Sequence, residues 1–198
     1  MPSSTLTAAH ASTESRAPAT PLRIADVYDA QVDFVARMAR GLGVPASAVP
    51  DVVQDVFMVV HRKLPSFEGR AKVRTWIARI VINVVRNHRR AHRKRLLTES
   101  LEDDGAVDES AKSPERVLLE RQAVAVLQAI LATMSEEQRV VFVMAEIEGL
   151  EMNEIAEALS INPNTGYSRL RLARKAYQRG VERARARAQR GEETRESP

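Results

Sequence analysis

Residues 97–120 divide the chain in two. They carry eight acidic and only two basic side chains. The run LLTESLEDDGAVDESAKSPE within and beside them has no aromatic residue and contains Gly105 and Pro114. Such a segment buries too little apolar surface to offset the entropy of ordering it, so it reads as a flexible acidic linker over residues 97–116. Whatever folds must fold on either side of it. The total of 198 residues suits one large domain or two small ones.

The charges agree with that division. Residues 22–96 hold 15 basic and 6 acidic side chains, and residues 121–180 hold seven of each. A basic block, an acidic strip and a neutral block imply two modules, at 22–96 and 117–180. Residues 1–21, rich in Ser, Thr and Ala, read as a disordered tail. Residues 181–198 read as a basic helical extension and tail. The basic block points to a polyanion partner or to a merely solvated surface; charge alone does not choose.

Several classes are set aside by composition. The chain has no Cys, which excludes a disulfide scaffold, a thiolate metal site and a Cys nucleophile, and fits a reducing compartment. Aromatics are 4%, too few for a large aromatic-lined cofactor pocket. The apolar runs at 80–85 and 123–134 are too short or interrupted for a span of about 20 residues. The N-terminus lacks a charged start followed by an apolar core. A cytoplasmic protein without membrane insertion is expected. No GxxxxGK[ST], HExxH or acidic metal cluster occurs, so no catalytic residue, metal or cofactor is assigned. His88 and His92 stand four apart, but no third ligand joins them and neighbouring arginines would repel a cation.

In the first module the apolar positions recur at helical spacing. Val27, Val32, Val35, Met38 and Ala39 define one helix ending near Gly41–Gly43. Asp51, after Pro50, is placed to cap a second helix carrying Val52, Val53, Val56, Phe57, Val59 and Val60, which stops before Pro65. A loop follows, and then a long helix from about 73 to 95. Its stripe is Val73, Trp76, Ile77, Ile80, Val81, Val84 and Val85. Its polar side holds Lys72, Arg74, Arg79, Asn83, Arg86 and Asn87. Cations of this kind neutralise phosphates, Asn can bond base edges and an aromatic can stack on an unpaired base. Trp76 is equally consistent with plain core packing.

In the second module residues 114–133 read as a helix with Val117, Leu118, Val124, Leu127, Ile130 and Leu131 on its apolar face. Ser135 and Gln138 fit a capping box. That helix runs through Ile147 and stops at Gly149. A short helix, 151–159, is followed by a turn at Ser160-Ile161-Asn162. Asn162 then caps a helix with Pro163 in its first turn. Two helices joined so tightly, with small Ala156 at the crossing, form a helix-turn-helix. The start of its second helix carries Asn164, Thr165, Tyr167 and Ser168, suited to base edges in a major groove. Arg169, Arg171 and Arg174 follow, suited to phosphate or guanine.

Two motif sets carry a family resemblance. Asp51-Val-Val-Gln54-Asp55-Val-Phe57, then Phe67-Glu-Gly69, then Arg74-Thr-Trp76-Ile-Ala-Arg79-Ile-Val-Ile-Asn83 resemble region 2 of the extracytoplasmic-function (group 4) sigma factors of bacterial RNA polymerase. Met134-Ser-Glu-Glu-Gln-Arg139, Glu148-Gly149-Leu150, Glu154-Ile155-Ala156 and Thr165-Gly166-Tyr167-Ser168-Arg169-Leu170 resemble region 4. The resemblance implies an all-α protein of two small helical domains and a non-enzyme that directs core polymerase to promoters. Asp51, Gln54, Asp55 and Phe57 would bind core polymerase at the β′ clamp, with the β flap as a further contact. The loop from Phe67 to Lys72 would hold a flipped −10 base, and Arg74, Trp76, Arg79, Asn83, Arg86 and Asn87 would bind the melted strand. Asn164, Thr165, Tyr167, Ser168, Arg169, Arg171 and Arg174 would meet the −35 duplex. An anti-sigma factor is an implied partner. The other reading of the helix-turn-helix is a stand-alone regulator. Gly166 departs from the family's aliphatic residue; inside a helix it costs roughly 0.8–1 kcal/mol relative to Ala, and it would loosen the recognition helix or let it approach DNA more closely.

Overall fold

The computed structural model describes residues 22–69, 71–96 and 114–196. The sequence expectations for the N-terminal tail, for residues 97–113 and for Arg70 lie outside them. Among the described residues the architecture is all-α. Helices α1 (Ile24–Gly41), α2 (Val49–Lys63) and α3 (Val73–Leu96) pack on one another. So do α4 (Pro114–Ala132), α5 (Glu136–Phe142), α6 (Met152–Leu159) and α7 (Pro163–Glu196).

The first group closes on aliphatic side chains. Val35, Met38, Val52, Val56, Val60, Ile77 and Val81 are wholly or almost wholly buried, and each such side chain contributes about 1.5–3 kcal/mol. Asp51 is not the cap of α2. The helix starts at Val49 with Pro50 in its first turn, and Asp51 is an exposed first-turn acid. Proline needs no N–H there and its fixed φ suits the first turn, so the helix begins earlier than expected. After Lys63 the chain tightens into a 3₁₀ turn over Leu64–Ser66, where Pro65 sits.

In the second group both sequence-level caps are present. The Ser135 hydroxyl accepts from the Gln138 amide, and the Gln138 side chain accepts from the Ser135 amide. The Asn162 side chain accepts from the Asn164 amide at 2.8 Å. Ser160 turns the chain at φ 54°. Helix α4 begins at Pro114, as its apolar spacing predicts, so its first turn overlaps the end of the stretch read as linker. Three features differ from the sequence expectation. Val124 is 52% exposed rather than on a buried face. Helix α5 ends at Phe142 and widens into a π-helical turn over Val143–Ile147, closed by the Glu148 amide on the Val143 carbonyl. Helix α7 continues without a break through residue 180, so the basic extension is the same helix that begins at Pro163. Gly180 permits this by letting α7 lie against α4: a Cβ there would meet Ile130 at 2.7 Å.

The two groups share one apolar core. Gly41 brings the end of α1 against Val143, whose methyl carbons lie 2.9 Å from where a Cβ would stand. Leu42, Ile82, Val85 and Val140 face one another nearby.

Candidate nucleic-acid interface

The helix-turn-helix is α6 and α7. Ile155, Ala156, Leu170 and Ala173 are buried between and behind the two helices. Gly166 is buried too, and its role is internal. A Cβ there would collide with the sulfur of Met152 on α6. The glycine therefore seats α7 closely on α6, rather than freeing it toward DNA. Around it Asn164, Thr165, Tyr167, Ser168 and Arg171 are exposed, with Tyr167 at 59%. Arg169 is half-buried. Arg174 is exposed and holds Glu146 through Nε and Nη2 at 2.9 and 2.7 Å.

On α2, Gln54, Asp55 and Met58 form an exposed ridge. One side is a groove lined by Tyr28, Pro50, Val53, Phe57 and His61. The other, between α2 and α3, is lined by Arg62, Asn87, His88 and His92. Phe57 is mostly buried, tilted against Tyr28 with ring centroids 4.6 Å apart. It shapes the groove from below. Exposed Tyr28 and Met58 were missed by sequence reasoning. A large apolar side chain that stays exposed beside a motif is visible only once the helix faces are known.

On α3, Arg79, Asn83, Arg86 and Asn87 are exposed. Trp76 is half-buried against Phe67, with centroids 4.9 Å apart, so the aromatic pair braces the loop that precedes α3. At the start of α3 the cations are already occupied. Lys72 Nζ lies 2.9 Å from Glu154 Oε1. Arg74 Nη2 donates to Glu148 Oε2 at 2.8 Å and to the Glu148 carbonyl at 3.2 Å. Its guanidinium lies over the Phe34 ring, 4.4 Å from the centroid. Arg37 on α1 clasps the same carboxylate with Nε and Nη2 at 3.1 and 3.0 Å. The Glu148 side chain is completely buried. Burial of a lone carboxylate is prohibitive; two arginines make it tolerable. Further along α3, Arg86 Nε donates to Glu136 at 2.7 Å.

The electrostatics follow these pairings. The Glu148 hydrogen bond raises the pKa of Arg37, and the Glu154 hydrogen bond raises that of Lys72. Glu154 is lowered by Lys72 and by the Glu151 amide. Glu137 is lowered by its own amide and by the Ser135 hydroxyl. Burial pushes Arg139 down; its Nε donates to the Leu131 carbonyl at 2.8 Å, and its guanidinium fills the turn at Gly43, where φ is +88°. No group of three or more metal-ligating side chains occurs among the described residues, and no helix among them is long and apolar enough to cross a membrane.

Two families match the chain in order, Sigma-70 region 2 over residues 27–95 and Sigma-70, region 4 over residues 125–176. The chain is 31% identical over 147 residues to the ECF RNA polymerase sigma-E factor of Escherichia coli (strain K12), covering 70% of this chain and 76% of that protein. It belongs to the ECF sigma factors of the sigma-70 family. The protein of the same description from Haemophilus influenzae is 28% identical over 141 residues, 68% of this chain and 75% of that one. The fold is shared with CnrH, solved in complex with the cytosolic domain of CnrY, at a TM-score of 0.62 and 22% identity over 80% of this chain and 87% of that one. It is also shared with RpoE, solved with the anti-sigma factor NepR from Bartonella quintana, at a TM-score of 0.64 and 17% identity over 80% and 96%. Members of this family direct RNA polymerase and are non-catalytic initiation factors. In this sigma factor the matched regions correspond to the α1–α3 group and to the α4–α7 group up to residue 176.

Proposed function

We propose that this sigma factor reads a −35 element as duplex with the start of α7, and a −10 element as separated strand with α3, while the α2 ridge docks on the β′ clamp of core polymerase. The observation that carries the reading is the exposed polar first turn of α7 on a tightly seated helix-turn-helix. Asn164, Thr165, Tyr167, Ser168 and Arg171 offer hydrogen-bond donors and acceptors free of intramolecular packing, as a helix entering a major groove requires. Arg169 and Arg174 flank them for phosphates.

Lys72, just before α3, and Arg74, Arg79 and Arg86 on it supply backbone contacts, and Asn83 and Asn87 supply base-edge contacts. Phe67, tilted against Trp76, braces the loop to Lys72, which would receive the flipped base. Gln54 and Asp55 crown the docking ridge, with Met58 and Tyr28 as apolar neighbours and Phe57 as its support. The β flap is the natural second contact of the α4–α7 group. An anti-sigma factor is the expected inhibitor. The modules are residues 22–96 and 117–180, and the chain acts in the cytoplasm where polymerase is. The phosphodiester chemistry belongs to polymerase.

The test is transcription from a promoter library with core enzyme and this chain, with start sites mapped by sequencing. Core-dependent initiation at promoters sharing −35 and −10 elements is expected. Site occupancy on duplex DNA without core, and no initiation with it, would instead identify a stand-alone regulator.

A further inference from the structure

The six methionines carry all the sulfur of a chain without Cys. Five lie among the described residues, and burial divides them. Met38 and Met144 have no exposed surface, and Met134 and Met152 are 5% and 7% exposed. Met58 is 56% exposed. Oxidation of a thioether follows the access of the oxidant to sulfur. Among the described residues Met58 is therefore the one open target.

Its place gives that target a consequence. Met58 stands on α2 one turn beyond Gln54, on the ridge between two grooves, and it lines both. In one groove it borders Tyr28, Val53 and Phe57, and in the other Val59 and Val84. It supplies the apolar crest of a ridge whose other exposed positions, Gln54 and Asp55, are polar. A thioether is soft and flexible, and it packs well against an irregular partner surface. The sulfoxide is polar and chiral, and its oxygen must lose its water when a partner covers the ridge.

We propose that Met58 is a peroxide-reactive site whose oxidation releases this sigma factor from core polymerase. A lone pair on Sδ attacks one peroxide oxygen and the O–O bond breaks. Sulfur loses two electrons and the peroxide gains them. The departing hydroxide takes the proton from the newly bound oxygen and becomes water, leaving the sulfoxide. A thiol-dependent sulfoxide reductase reverses the step: the thiols supply two electrons and two protons, end as a disulfide, and the oxygen leaves as water. The effect on polymerase rests on the reading of α2 as the docking ridge; the selectivity of oxidation does not.

The test exposes the full chain to limiting hydrogen peroxide, removes the peroxide with catalase, and maps oxidised residues by peptide mass spectrometry. Met58 is expected to oxidise before Met38, Met134, Met144 and Met152. Core affinity is then measured on the same samples by equilibrium binding. Oxidation should weaken it about tenfold at an unchanged thermal midpoint, and a methionine sulfoxide reductase should restore it. Met58→Leu keeps an apolar crest that peroxide does not oxidise. Whatever its starting affinity, treatment should leave that affinity unaltered. Met58→Gln places an amide on the crest without peroxide and should bind core more weakly than Met58→Leu.

Oxidation spread evenly over the buried methionines would overturn the proposal. So would an oxidised parent that keeps its core affinity, or an equal loss in treated Met58→Leu. Gln54→Ala/Asp55→Ala separates this failure from that of the ridge. If that variant loses core affinity while the oxidised parent keeps it, the proposal alone falls. If the variant also binds core undiminished, the docking reading falls and the proposal with it.

Discussion

Glu148 and Gly166 are the two residues whose surroundings most restrict what can replace them. Glu148 has no exposed side-chain surface and two guanidinium partners, each about two-fifths exposed or more. Arg37→Ala would leave Arg74 to hold the carboxylate alone. After allowance for screening at a partly exposed head group, a loss of about 1–2 kcal/mol in urea unfolding is expected. At Gly166, restoring an aliphatic residue should hurt rather than help. Gly166→Val forces a side chain into Met152, and overpacking of this kind costs about 1–3 kcal/mol. Met152→Ala in the same chain should recover most of that loss, read as the difference between single and double variants. From the sequence, glycine here reads as a loosened recognition helix or as one allowed closer to DNA. The space it leaves is filled by a side chain 14 residues earlier, a relation that local propensity does not contain.

Helices and their ends were the most legible level, because their signals are short in sequence. Ser135 with Gln138, Asn162 with Pro163, and the stripe from Val73 to Val85 each lie within a few turns. Ser135→Ala, which removes one capping bond from α5, should lower the thermal midpoint by an amount equivalent to about 1 kcal/mol. Legibility failed where two signals overlapped. Pro50 and Asp51 both announce a helix start, and proline set it two residues before the aspartate. Val124 has helical spacing but a solvent-facing position, because its helix packs through Ile130 and Leu131 nearer its end. For the docking ridge of α2, Gln54→Ala with Asp55→Ala should weaken core association by tenfold or more, about 1.4 kcal/mol. Duplex binding by the helix-turn-helix should be unchanged. Arg171→Ala should do the reverse, reducing use of −35 elements at intact core affinity.

At the scale of the whole molecule, the motifs that nominate the candidate site residues are legible in the sequence, but the pairing of those residues is not. Arg37 and Arg74 reach Glu148 across 111 and 74 positions of chain, on either side of an acidic stretch that reads as a tether between independent modules. No periodicity reports such a contact. The pairing carries a pH signature. Glu154 is held below the ordinary glutamate value of 4.5, first by Lys72 and then by the Glu151 amide. A carboxyl whose pKa is lowered by folding stabilises the fold fully above its ordinary value, and that contribution fades as acid protonates it in the folded form. Urea unfolding followed from neutral pH downward at fixed ionic strength should therefore show steady stability, then a loss on the acid side of 4.5. The single run of α7 adds a mechanical corollary. Gly180 rests on Ile130 near the middle of that rod, with about 24 Å of helix on the side of the helix-turn-helix and a similar length beyond. Tilting one arm must swing the other oppositely, so a ligand grasping the distant arginine-rich arm would steer the angle of the near arm without ever touching it.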